Sequence, residues 1–405
     1  MAYAGGVAQG REGSTAARRT AAAPVLAART SALRPNQLLE ILHLARGSGA
    51  ADLATGTPSF PEVEADLIAE VYAAVNDGRN QYEDSRGNAA LRTAVARAHG
   101  ADPDTEITIT AGATEGLTAA LLTLVEPGDE VVVLEPYFEP YPAAIRLAGA
   151  TPRFVRLHAP DWRWDVRELR RAFGPRTKAV IVNSPHNPTG RVLGVEELAE
   201  LVGLCEHWNS TLISDEVYAE FVDEPAAVVL PSDLDAGVPV IGLRSTSKSH
   251  AVSGWRIGWV FAPPELTRAL RAVHEVLVVG CAAPLQAAAA AVLDRRPGWS
   301  AAQRAELAGK RLQTLEAVRE AGFTVQAPEG ACYLLARIPD RWPDAAPAAR
   351  RLVTAGRVAT APGDFFYDEP SAGSRHLRLA YNKSAAVLDT ALERLTAAAA
   401  RMPTG

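Results

Sequence analysis

Ser245-Thr246-Ser247-Lys248-Ser249-His250-Ala251-Val252-Ser253-Gly254-Trp255-Arg256-Ile257-Gly258-Trp259 is the stretch from which the fold is read. It sets a lysine in a loop of small, hydroxyl-bearing residues behind an apolar run. An amine so placed can approach a bound aldehyde, exchange a covalent link with it and then move protons. Arg256 suits a phosphate, with Ser245 and Ser247 as hydroxyl donors. Taken alone, Lys248 reads better as a solvated loop lysine, so the decision rests on other segments.

Three of them point the same way. Ala111-Gly112-Ala113-Thr114-Glu115-Gly116 separates a strand from a helix. By itself it is a plain capped turn, but its small residues also let backbone N–H groups face a phosphate over a positive helix end. Asn183-Ser184-Pro185-His186-Asn187-Pro188-Thr189-Gly190 is a strand end followed by a stiffened turn, so Asn187 presents its amide in a fixed direction. Asp215-Glu216-Val217-Tyr218 follows the next strand. A buried carboxylate there needs a positive partner, and a protonated pyridine nitrogen supplies one, which makes the ring an electron sink.

Outward from these motifs the chain alternates. Short apolar runs at 107–110, 130–134, 179–182, 211–214, 238–243 and 258–261 read as buried strands, with helical periodicity at 115–124, 142–147 and 195–207. That order predicts a mostly parallel sheet covered on both faces, with ligands at the carboxyl ends of its strands. Beyond Pro297 the pattern becomes a long helix at 300–321, short strands at 323–326, 331–338, 356–359 and 376–380, and a terminal helix at 385–401.

The four motifs, in this order and spacing, resemble the class I/II aminotransferases of pyridoxal phosphate fold type I, from about Arg34 to the C-terminus. The resemblance implies an α/β fold with a large cofactor domain, its mostly parallel, seven-stranded-type sheet sandwiched by helices, at residues 51–297. A smaller α+β domain follows at 298–405 and is joined by 29–50. Residues 1–28 read as a disordered leader. The implied cofactor is pyridoxal 5′-phosphate. Lys248 is assigned to the Schiff base, Asp215 to the pyridine nitrogen, and Asn187 and Tyr218 to the phenolic oxygen. Gly112, Ala113, Thr114, Ser245, Ser247 and Arg256 go to the phosphate, and Phe138 to the ring face. Tyr82 matches a tyrosine that reaches the phosphate of the neighbouring subunit, which implies a homodimer with shared active sites.

On the substrate side the resemblance gives Arg378 to the α-carboxylate of an amino acid, Gly56 to the loop that closes over the substrate, and Asn187 to the substrate as well as the cofactor. The local likeness is to kynurenine aminotransferase and cysteine-conjugate β-lyase-like enzymes, through Glu135-Pro136-Tyr137-Phe138-Glu139-Pro140-Tyr141, Asp161–Asp165 and Pro362–Tyr367. Leu38, Val279-Gly280 and Cys332 depart from that group, which puts an aromatic substrate in doubt. Arg86 is a candidate for a second carboxylate. His186 and His250 read as structural, and Trp255 and Trp259 as packing. The implied activity is transamination of an L-amino acid to a 2-oxo acid. A C–S β-lyase and a decarboxylating or oxidative deaminase stay open, and a regulator on the same fold is disfavoured because no helix-turn-helix precedes the fold.

The bulk properties agree. A chain of 405 residues exceeds one ordinary core, so two domains are expected. A net charge of −6 gives no reason to expect nucleic acid or an anionic membrane. Cys205, Cys281 and Cys332 form no C-x-x-C pair, so neither a metal site nor a disulfide is expected, and the cytoplasm is the simple location.

Overall fold

The computed structural model describes residues 27–31, 33, 37–224, 228–234, 236–296 and 298–401. Expectations for the leader before residue 27, for the chain at Arg34 and for the boundary at Pro297 lie outside the described residues. The strands are β1 (Ala51–Asp52), β2 (Ile107–Thr110), β3 (Glu130–Glu135), β4 (Thr151–His158), β5 (Arg163–Trp164), β6 (Thr177–Asn183), β7 (Thr211–Asp215), β8 (Val240–Ser245), β9 (Gly258–Phe261), β10 (Tyr333–Arg337), β11 (Val358–Ala359), β12 (Ala361–Pro362) and β13 (His376–Ala380).

Eight of these form one sheet in the order β2-β9-β8-β7-β6-β3-β4-β5. The run from β8 to β4 is parallel, whereas β9 is antiparallel to both β2 and β8. The short β5 folds back on β4 and takes the sheet beyond the seven strands expected. In β3 every residue is buried, the signature of a strand covered on both faces. Its side chains go alternately to opposite cores: Val131 and Val133 pack with the helices Ala113–Leu124 and Pro140–Ala148, Val132 and Leu134 with the opposite layer.

β4 was not expected from sequence. Its burial alternates, with Arg153, Arg156 and His158 turned outward, because it lies near the sheet edge. It therefore lacks the continuous apolar run that marks its neighbours. β8 begins and ends two residues later than expected.

The smaller part has a three-stranded antiparallel sheet, β10-β13-β12, packed by the helices Ala301–Glu320, Ala345–Thr354 and Ala385–Arg401. The strand expected at 323–326 is only a bridge between Thr324 and Arg337, and Pro328 follows before any ladder extends. β1 pairs in parallel with β11. The helix Leu38–Ser48 lies on Ala345–Thr354, with Glu40 2.8 Å from Arg350. The N-terminal segment is thus tied to the C-terminal part. Among the described residues no helix is long and apolar enough to cross a membrane.

Candidate active site

The sheet topology brings the motifs together. β2, β3, β6, β7 and β8 all end at the same edge, which places Gly112, Phe138, Asn187, Asp215 and Lys248 beyond it. Because β9 runs the other way, its beginning lies at that edge too, and Arg256 arrives just ahead of it.

The turn expected to take the phosphate leads into the helix Ala113–Leu124, whose first N–H groups have no partners within the helix. Gly112 precedes it with φ 79°, and a Cβ there would lie 2.4 Å from Arg256 Nη2. Glycine is therefore required twice, by the backbone and by the guanidinium. Arg256 itself takes the left-handed region (φ 55°), which turns the chain into β9. Its Nη1 donates to Ser253 O at 2.9 Å and to Ser247 Oγ at 3.5 Å, and its Nη2 to Ala111 O at 3.2 Å. Ser245 Oγ caps the turn, accepting from Ser247 N at 3.0 Å. Thr114 and Arg256 are exposed, so this cup opens outward.

The group expected to face the ring nitrogen is Asp215. Its carboxylate is buried and takes a 2.6 Å hydrogen bond from the Tyr141 hydroxyl and one of 3.3 Å from Val217 N–H. Burial pushes its pKa up to about 6, against the lowering effect of Tyr141. Both donors are neutral. A pyridinium N–H would supply the missing positive partner, so the donor set fits the cofactor. Asn183 Oδ1 accepts from Asn187 N at 2.7 Å while its Nδ2 donates to Asp215 O at 2.8 Å, fixing the two motifs to each other. Phe138 is half-buried, its ring edge-on to Tyr141 at 5.5 Å.

The chain has four lysines, which sharpens the case for Lys248. Lys178 is exposed, and Lys310 pairs with Glu306 over the ring of Phe60. Lys383 is buried and donates to Thr55 O at 2.9 Å and Thr57 O at 3.0 Å, with Asp52 at 3.8 Å. Lys248 Nζ instead donates to a single carbonyl, Gly56 O, at 3.0 Å. Loss of solvation pushes its ammonium down to about 8, and the cations of Arg378, Lys383 and Arg256 act in the same direction. Burial lowers Lys383 as well, but Lys383 is held by two carbonyls with Asp52 nearby, whereas Lys248 is not.

Arg378, in the middle of β13, is buried between the rings of Phe366 and Tyr333, at 4.6 and 4.7 Å. Nη1 donates to Asn187 Oδ1 at 3.0 Å and Nη2 to Ala54 O at 2.7 Å, while Nε has no protein partner. Arg86 is turned to Asp84, at 2.6 Å. His186 is buried beside Thr189 Oγ1, and its pKa falls to about 3. His250 bonds Ser249 Oγ. Trp259, within β9, is buried, and half-buried Trp255 packs against the same apolar cluster. Tyr82 stands apart from these groups, 88% exposed.

Three participants escaped the sequence reading. Tyr141, in the first turn of the helix Pro140–Ala148, follows Phe138 by three residues in a motif already singled out. Asn183 opens the motif that contains Asn187. Tyr333, next to Cys332, carried no local signal at all. Among the described residues no acidic, histidine or cysteine cluster is arranged to hold a metal.

The sequence profile of aminotransferase class I and II matches residues 48–395. A probable N-succinyldiaminopimelate aminotransferase of Mycobacterium tuberculosis is 36% identical, with 92% of this chain and 99% of that protein aligned. Kynurenine–oxoglutarate transaminase 3 of mouse is 31% identical over 77% of this chain and 74% of its own. The solved structure of N-succinyldiaminopimelate aminotransferase from Mycobacterium tuberculosis superposes with a TM-score of 0.87 at 34% identity, covering 92% of this chain and all of that one. The chain belongs to the class I and II aminotransferases, enzymes that use pyridoxal 5′-phosphate to move an amino group between amino and oxo acids.

Proposed function

We propose that this aminotransferase takes its amino group from an L-amino acid with a single carboxylate, using Lys248 as the proton-transferring amine. The observation that carries the reading is the meeting of Lys248, Asp215, Asn187 and Arg378 at one sheet edge. When bound, the cofactor supplies the electron-withdrawing ring. Lys248 Nζ would hold the cofactor's aldehyde carbon and, as a free amine, would take the substrate's Cα proton. Asp215 holds a proton on the ring nitrogen. Asn187, with Oδ1 accepting from Arg378, has its Nδ2 to offer the phenolic oxygen, and Tyr218 donates there as well. Gly112, Ala113, Thr114, Ser245, Ser247 and Arg256 hold the phosphate, and Phe138 covers the ring.

Arg378 holds the α-carboxylate, and the Gly56 loop covers it. Arg86 is engaged by Asp84, which favours a donor without a second carboxylate. The test is a panel of L-amino acids with a 2-oxo acid acceptor. Formation of the matching new amino acid supports transamination, and pyruvate or ammonia released without an acceptor refutes it. Arg378→Lys keeps the charge and loses the fork, so KM for the amino acid should rise about 10-fold, the loss of one charge-assisted hydrogen bond. Cofactor affinity should stay unchanged in equilibrium titration.

The division into a cofactor part, 51–297, and a smaller part, 298–405 with 29–50, belongs to this reading. So do a cytoplasmic location and a homodimer with shared sites. What supports the dimer is apolar surface left open: Tyr82, Val276, Leu277 and Val279 are all exposed, and a Cβ built at Gly280 would lie 3.6 Å from Glu83 O, in the segment that carries Tyr82. Mixing Tyr82→Ala with Lys248→Ala chains should restore part of the activity, because one site of the hybrid carries neither defect. A fully active monomer in sedimentation at assay concentration would refute the shared site.

A further inference from the structure

Tyr333 links the ring side of the site to the carboxylate side. Its hydroxyl is 2.8 Å from that of Tyr218, with the two rings edge to face at 5.5 Å. The face of its ring lies against the Arg378 guanidinium at 4.7 Å. Gly56 closes the third side: a Cβ there would sit 1.7 Å from Tyr333 Oη, so only glycine leaves room for the phenol. The hydroxyl is therefore held in one place.

Both phenols are buried, and burial raises both pKa values well beyond the working range, so each keeps its proton. The titratable and charged groups around the pair are Cys332, Asp215 and Arg378. The Cys332 thiol, pushed up to about 11 by burial, also stays protonated. Two hydroxyls share one hydrogen bond, so one proton lies between the oxygens and the other points away. If Tyr218 donates outward, the shared proton must come from Tyr333.

We propose that Tyr333 is a positioning residue that donates to Tyr218 Oη and thereby commits the Tyr218 proton to the phenolic oxygen of pyridoxal phosphate. This rests on the assignment of Tyr218 to that oxygen. Donation from Tyr333 also polarises Tyr218 and makes it the stronger donor. Together they favour the ionised phenolic oxygen, and with it the unprotonated form of the bound cofactor.

The test is a spectrophotometric pH titration of the visible band of the holoenzyme, in wild type, Tyr333→Phe, Tyr218→Phe and the double variant. Tyr218→Phe should raise the titration midpoint. Tyr333→Phe should raise it by a smaller amount, on the order of half a pH unit, and should add nothing once Tyr218 is phenylalanine. The phenylalanine ring still covers Arg378, so KM for the amino acid should stay within about two-fold, under the loss of one hydrogen bond. A midpoint unmoved by Tyr333→Phe while Tyr218→Phe moves it, or an equal shift in the double variant, overturns the inference. A midpoint unmoved by Tyr218→Phe overturns the assignment of Tyr218 instead.

Discussion

Lys248→Ala should abolish turnover, with a loss on the order of 10⁴-fold, while the protein still binds pyridoxal phosphate noncovalently. The groups proposed for the phosphate are bonded among Ser245, Ser247, Ala111 and Arg256, whereas Lys248 Nζ bonds Gly56 O instead. Borohydride treatment of the wild type should leave a pyridoxyl group on Lys248, and peptide mapping decides among four candidates. Lys383 is the informative rival, since it too is buried near the Gly56 loop, but it is held by Thr55, Thr57 and Asp52. A label on Lys383 would sink the assignment. The pH dependence has a definite sign. Only the neutral amine attacks an aldehyde, and the ammonium is pushed down to about 8. Attachment of the cofactor to the apoprotein should therefore speed up as pH rises through about 8 and level off above it. A rate still climbing steeply at pH 10 would place the lysine in ordinary solvent.

Asp215→Ala should cost on the order of 10²–10³-fold in kcat, the usual penalty for removing an electrostatic partner of developing charge. Cofactor affinity should fall far less, because the phosphate contacts remain. Removal of the α-proton, followed with α-deuterated substrate in a single turnover, should become the slow step. An unchanged single-turnover rate would refute the role. Tyr141→Phe separates the carboxylate from its support. It deletes the 2.6 Å hydrogen bond and leaves Asp215 in place, so the loss should be about 10-fold, one hydrogen bond to a charged group.

Particular elements show how far the sequence reached. β3, β6, β7 and β8 were legible because strands buried on both faces read as unbroken apolar runs. β4 was not, since an alternating strand with three basic residues resembles a surface segment. The bridge at Thr324 was over-read as a strand, its apolar neighbours being recruited to the core without a ladder. Gly112 and Arg256 were legible as types of residue, although their near-contact depends on β9 running against β8.

The sequence by itself determined the family and its cofactor, through motifs that the proposed site uses: a lysine in a small-residue loop, a carboxylate at a strand end, a glycine turn before a helix and an arginine after the lysine. These are local requirements, each met within a few residues of the chain, so the linear order carries them. Only the tertiary structure decided which side chains stand beside those motifs. Tyr141 reaches Asp215 from 74 positions away, Tyr333 reaches Tyr218 from 115, and Arg378 reaches Asn187 from 191. Side chains so distant meet because parallel strands deliver their ends to one edge and β13 swings the small part over it. No periodicity or spacing along the chain encodes that meeting, because it depends on how separate elements pack.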